Sequence, residues 1–108
     1  MPVSTNIRVL ETHYNGYHFR SRLEARWAVF FDALGVAYEY EKEGYDLGAA
    51  GWYLPDFWLP QYEWWIEIKG KEPTGSELAK AAALAAGDDD WSVFLVIGMP
   101  TACRFLWG

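Results

Sequence analysis

An aspartate that follows a proline, and a glutamate and lysine one residue apart in an apolar stretch, are the residues of this chain best suited to chemistry. They lie in Tyr53-Leu54-Pro55-Asp56-Phe57-Trp58-Leu59-Pro60 and in Glu63-Trp64-Trp65-Ile66-Glu67-Ile68-Lys69-Gly70. Side chains alternate across a strand, so Glu63, Trp65, Glu67 and Lys69 share one face while Trp64, Ile66 and Ile68 share the other. The second face reads as core. A hairpin turn at Pro60 brings Asp56 back beside Glu67, and two carboxylates converging on one point suit a hard divalent cation. Magnesium commonly takes one or two of them, with waters and a substrate phosphate completing its shell. Lys69 next to such a site could orient or deprotonate an attacking water, or balance charge on a phosphate in transition. Glu63 shares the face but lies farther from the reaction point.

The elements that must position these groups can be read from period and punctuation. Asn15-Gly16 sits between Thr12-His13-Tyr14 and Tyr17-His18-Phe19, a two-residue hairpin signal within Ile7 to Phe19, because both turn positions need positive φ. It sets His13 opposite His18. Ser21-Arg22-Leu23-Glu24 fits a capping box, and Leu23, Trp27, Phe30, Phe31 and Leu34 follow at helical spacing up to Gly35. Val36 to Tyr40 alternates as a strand, and Glu41 to Gly51 is an acidic connection. Trp52 to Leu59 and Tyr62 to Lys69 read as strands joined at Pro60-Gln61. Thr74-Gly75-Ser76-Glu77 predicts a second capped helix, with Leu78, Ala81, Ala82 and Ala85 on one side and Gly87 as its stop. Trp91 to Ile97 suits a central strand buried on both faces, and Cys103 to Trp107 a last one. The expected fold class is α/β (α+β), with a mixed central β-sheet flanked by helices.

The chain has 108 residues, enough for one domain spanning 1–108 that buries roughly 60 to 65% of its unfolded surface. Its one cysteine, Cys103, excludes an internal disulfide, and no Cys/His spacing fits structural zinc. No secretory pattern follows Met1, and no run approaches about 18 apolar residues, so the expectation is an intracellular protein with no membrane partner. Seven Trp and seven Tyr exceed what packing asks for, which places some rings at a working surface. A net charge of −6 opposes nucleic-acid binding by bulk electrostatics. The acids are concentrated, however, in Glu39, Glu41, Glu43 and Asp46 and in Asp88, Asp89 and Asp90, apart from Arg20, Arg22 and Arg26.

With Pro55-Asp56 and Glu67-Ile68-Lys69 in this order, the chain resembles the PD-(D/E)xK superfamily of restriction-type nucleases. Ser21-Arg22-Leu23-Glu24-Ala25-Arg26-Trp27-Ala28, Tyr53-Leu54-Pro55-Asp56-Phe57 and Ile66-Glu67-Ile68-Lys69-Gly70 look like a group of small phage and bacterial endonuclease-type proteins within it. The resemblance covers roughly Tyr14 to Leu95. It implies a restriction-endonuclease-like core, Asp56 and Glu67 as metal ligands, Lys69 as the catalytic lysine, and Glu24 as an acid from the first helix that completes the metal set. The implied reaction is hydrolysis of a DNA phosphodiester with magnesium, for which manganese substitutes. The cell is then a bacterial or phage-infected one.

Arg20, Arg22, Arg26, His18 and Lys71 are the candidates for contact with the DNA backbone. Trp52, Trp58 and Trp65 could stack on bases or cover the sheet edge. Competing readings remain open at this stage. Glu24 could serve only its helix cap, and the pair His13 and His18 could hold a metal or simply face solvent. So short a chain leaves little surface for recognition, which suggests a homodimer or a larger protein assembly. An inactive nuclease-like binding module, or an aromatic-rich carbohydrate-binding domain, would share much of this composition.

Overall fold

The residues around Glu67 form a strand because aromatic and β-branched side chains, Trp64, Trp65, Ile66 and Ile68, flank it on both sides. In the computed structural model, which describes residues 12–100 and the backbone of 104–107, this is β7, Trp64–Lys69, at the centre of a five-stranded sheet. The expected hairpin's first part, Ile7 to Glu11, the residues following Met1, and Cys103 lie outside the described residues.

Near the start of the described residues is a hairpin of β1, His13–Tyr14, and β2, Tyr17–His18. Its turn residues Asn15 and Gly16 have φ of 54° and 84°, as a mirror-image turn requires. Helix α1, Arg22–Ala33, starts at Ser21, whose Oγ accepts a hydrogen bond from the Glu24 amide, and stops before Gly35 at φ 70°. Strand β3 is confined to Glu39–Tyr40, shorter than the expected Val36 to Tyr40. The acidic connection is not featureless: β4, Tyr45–Asp46, pairs with β5, Trp52–Tyr53, around a 3₁₀ turn at Gly48–Ala50.

The expected continuous strand from Trp52 to Leu59 is instead two pieces in different sheets, β5 and β6, Phe57–Leu59. Pro55 has no N–H to offer a ladder, and the Asp56 amide is spent on a side chain, described below. The β6–β7 turn runs over Pro60 to Glu63 rather than Pro60-Gln61 alone. Glu63, at φ 57°, is a turn residue and not on the strand face where alternation put it.

The sheet order is β3-β6-β7-β8-β9, with β8 Ser92–Ile97 and β9 Arg104–Trp107. Strands β7 and β8 are parallel and the other neighbours antiparallel. The parallel pair is connected through α2, Gly75–Ala86, which carries the full Thr74/Glu77 capping box and supplies the crossover that parallel neighbours need.

Each helix covers one face of the sheet. Ala25, Trp27, Ala28 and Phe31 of α1 pack on Phe57, Leu59, Ile66, Ile68, Phe94 and Val96. Ala81 and Leu84 of α2 pack on Trp58, Trp65, Val93 and Leu95. The fold is therefore an α+β fold with a mixed sheet between helices, and both faces of β7 are core. Trp58 and Trp65, read as possible base platforms, are buried side by side with ring centroids 4.7 Å apart. Leu78 lies outside the buried stripe of α2, which Leu84 occupies instead. Ala81 is fully buried against the sheet, so the methyl group sets how closely α2 approaches. Ala81→Leu is expected to destabilise the protein by about 1 to 3 kcal/mol through overpacking, measured by urea unfolding; an unchanged midpoint would refute that tight approach.

Candidate active site

Antiparallel pairing of β6 with β7 places Phe57 opposite Ile66, and the same register carried one step further sets Asp56 opposite Glu67. The two are locked reciprocally. The Asp56 amide donates to Glu67 Oε1 at 3.1 Å, and the Ile68 amide donates to Asp56 Oδ2 at 2.7 Å. Asp56 is 1% exposed and Glu67 8%. Glu24, 7% exposed, enters from α1. Its side chain does not fold back on the helix cap: Oε1 accepts a hydrogen bond from the Tyr40 hydroxyl at 2.8 Å. Only half of the predicted capping box therefore forms, and the carboxylate is directed to the site.

Burial raises the Asp56 carboxyl well above the usual aspartate range, and the charges of Glu67 and Glu24 push it further in the same direction. Burial also raises Glu67, against the opposing pull of Lys69. Three buried acids thus gather where water is largely excluded.

Two cations partly balance them. Arg20 reaches Asp56 Oδ1 with Nη2 at 3.3 Å while its Nε pairs with Glu41 at 2.5 Å. Lys69 Nζ lies 3.2 Å from Glu67 Oε2 and 2.6 Å from Glu77 Oε2. Partial burial would lower the Lys69 ammonium, but its hydrogen bond to Glu77 and the nearby Glu67 outweigh this and raise it. Lys69 is thereby held protonated, which fits orientation and charge balance rather than removal of a proton from water.

Glu77 is the residue that sequence reasoning missed. Its Oε1 accepts the Thr74 amide at 2.8 Å while Oε2 holds Lys69, so one side chain caps α2 and positions the lysine. The capping pattern alone explained its presence and hid its second contact. Tyr40 and Tyr53 also escaped notice, because tyrosine carries no spacing signature.

Arg20, Trp52, Tyr53, Glu67, Lys69 and Lys80 line a cleft of about 320 Å³. Asp56 and Glu24 lie buried behind it and do not line it, nor do Arg22, Arg26, His18 and Lys71. Arg26 contacts Met99 Sδ at 3.2 Å beyond β8, and His18 stacks on His13 with centroids 4.1 Å apart. Arg22 and Lys71 are exposed.

The donor set fits a hard divalent cation. Asp56 and Glu67 offer carboxylate oxygens in mutual opposition, a cost that an intervening positive charge removes. The Tyr53 hydroxyl is buried in the cleft wall beside the Glu67 carboxylate, which it helps to hold in its charged form. Among the described residues, no group of three or more His, Cys, Asp or Glu side chains is arranged to hold a metal ion by itself. Asp56 and Glu67 would be the residues to hold such an ion, a two-carboxylate complement of the kind magnesium commonly takes. Comparison of the chain with protein-family models, with curated proteins and with solved structures finds no match.

Proposed function

We propose that this chain is a magnesium-dependent endonuclease that hydrolyses DNA phosphodiester bonds, with a restriction-endonuclease-like arrangement of its sheet and site. The observation that carries this reading is the opposition of Asp56 and Glu67 across two neighbouring strands, with Lys69 one step along from Glu67. Magnesium, or manganese in its place, would bind to Asp56 and Glu67 and supply Lewis acidity toward a phosphate oxygen and its attacking water.

The chain's own residues do the rest. Arg20 leaves Asp56 to pair with Glu41 alone, exposing the Oδ1 edge that the guanidinium covers. Lys69, fixed by Glu77, orients the nucleophile and offsets charge that builds on the phosphate. Glu24, held by Tyr40, keeps a third negative charge beside Asp56 and strengthens the attraction for a cation. Tyr53 supports the Glu67 carboxylate from the cleft wall.

Arg22, Arg26, His18 and Lys71 would contact phosphates outside the cleft. A net charge of −6 leaves such contacts few, so affinity is supplemented by a second copy of the chain or by a larger assembly. No helix among the described residues is long and apolar enough to cross a membrane, and an intracellular site of action accords with a DNA substrate.

Supercoiled plasmid is expected to become nicked or linear with magnesium or manganese and to stay intact in EDTA. Conversion undiminished by EDTA overturns the metal. No conversion of plasmid, single strands or flapped duplexes with either ion overturns the activity.

A further inference from the structure

We infer that the cleft receives an unpaired nucleotide beside the scissile phosphate, with Trp52 as the platform on which its base stacks. The inference deepens the nuclease reading above and rests on it for the reaction. Trp27, Trp58 and Trp65 are buried in the two cores, whereas Trp52 is 62% exposed on the rim of the cleft that Glu67 and Lys69 line.

Its ring nonetheless has a defined seat. Backbone pairing of Asp46 with Trp52 sets the rim strand, and the indole rests directly on Gly44, where an added β-carbon would overlap the ring. A larger residue there would push the ring from this seat. An aromatic side chain held in place yet left open to water gains little from burial, and its free face is a surface for stacking.

Bases within a duplex stack on one another and turn only edges and phosphates outward. An indole on a rim therefore meets a base face only where a strand is unpaired, and such stacking is tolerant of sequence because every base has a π-face. The remaining rim groups agree. Lys80 and Arg20 stand on the same cleft and offer positive charge to the flanking phosphates. A volume of about 320 Å³ is at the lower end for a small-ligand pocket, suited to one nucleotide and too small to enclose a base pair with its backbones.

The test uses Asp56→Asn protein, so that bound strands stay intact, and measures anisotropy of a labelled oligothymidine alone or annealed to oligoadenine. Oligothymidine is expected to bind more tightly than the duplex. Trp52→Ala should weaken single-strand binding by about tenfold or more while moving duplex binding by no more than about twofold. Trp52→Phe should retain most of the affinity. Gly44→Ala, which displaces the ring without removing it, should weaken single-strand binding in the same direction as Trp52→Ala. Single-strand binding unchanged by Trp52→Ala, or weakened equally for both substrates, overturns the inference. Trp52-dependent binding by a protein whose parent cleaves nothing would leave the platform standing and remove the nuclease reading. Metal-dependent cleavage with no role for Trp52 would do the reverse.

Discussion

Asp56→Asn is expected to reduce phosphodiester cleavage by about a thousandfold or more while making the metal-free protein more stable. Asn keeps an oxygen for the Ile68 amide that Asp56 Oδ2 now accepts, so the local backbone has no reason to move. It removes the charge that would bind the proposed cation. It also ends the opposition between buried carboxylates, and Arg20 retains Glu41 as a partner, so no orphaned cation results.

The pH dependence follows from direction. Burial and the neighbouring Glu67 and Glu24 raise the folded carboxyl of Asp56. A carboxyl raised on folding contributes stability fully present below its unfolded pKa, near 4, and lost as pH rises through its folded value. The parent and Asp56→Asn should therefore unfold alike at low pH and diverge as pH rises above about 4. A gap of about 1 kcal/mol near neutrality would appear as roughly 4 to 8 °C in the thermal midpoint. Magnesium should raise the midpoint of the parent and leave that of the variant unchanged. A variant that melts below the parent across this range would contradict the buried opposition.

Lys69→Ala should also disable the site, by about a hundredfold to a thousandfold, but with the opposite effect on stability. Its ammonium is the cation placed between Glu67 and Glu77, and without it the two acids face one another uncompensated. The variant is expected to melt below the parent at neutral pH and to recover toward it in acid, where both carboxyls are protonated. Plasmid cleavage and thermal scans on the same samples separate the two substitutions. Undiminished cleavage by Lys69→Ala would remove the lysine from the reaction.

Much of this arrangement is legible in the residues. Pro55 before Asp56, and the alternation from Trp64 to Lys69, contain both the turn-back and the shared face. The N-terminal hairpin and both helix starts follow from Asn15-Gly16, Ser21 and Thr74. Trp65 was harder to place, because a face that ends in Glu67 and Lys69 reads as wet along its whole length. In the fold that face changes character midway, passing from beneath α2 at Trp65 to the cleft at Glu67. Period alone cannot reveal where along a strand a covering helix stops. The break between β5 and β6 was signalled by Pro55, yet apolar residues on both sides of it read as one strand. Arg20 resembled a phosphate contact, and its attachment to Asp56 and Glu41 depends on β3 lying beside β6, a long-range pairing.

Because β7 is packed on both sides, Glu67 and Lys69 stand on a floor that nothing can shift without disturbing one helix or the other. The rim is made differently, from two-residue strands, a single turn and exposed side chains such as Trp52. Alterations aimed at the kind of strand admitted have room only at that rim, whereas alterations to the floor act on stability and chemistry together. On the proposed nuclease reading, substrate preference could therefore drift or be re-engineered while the reaction itself stayed fixed.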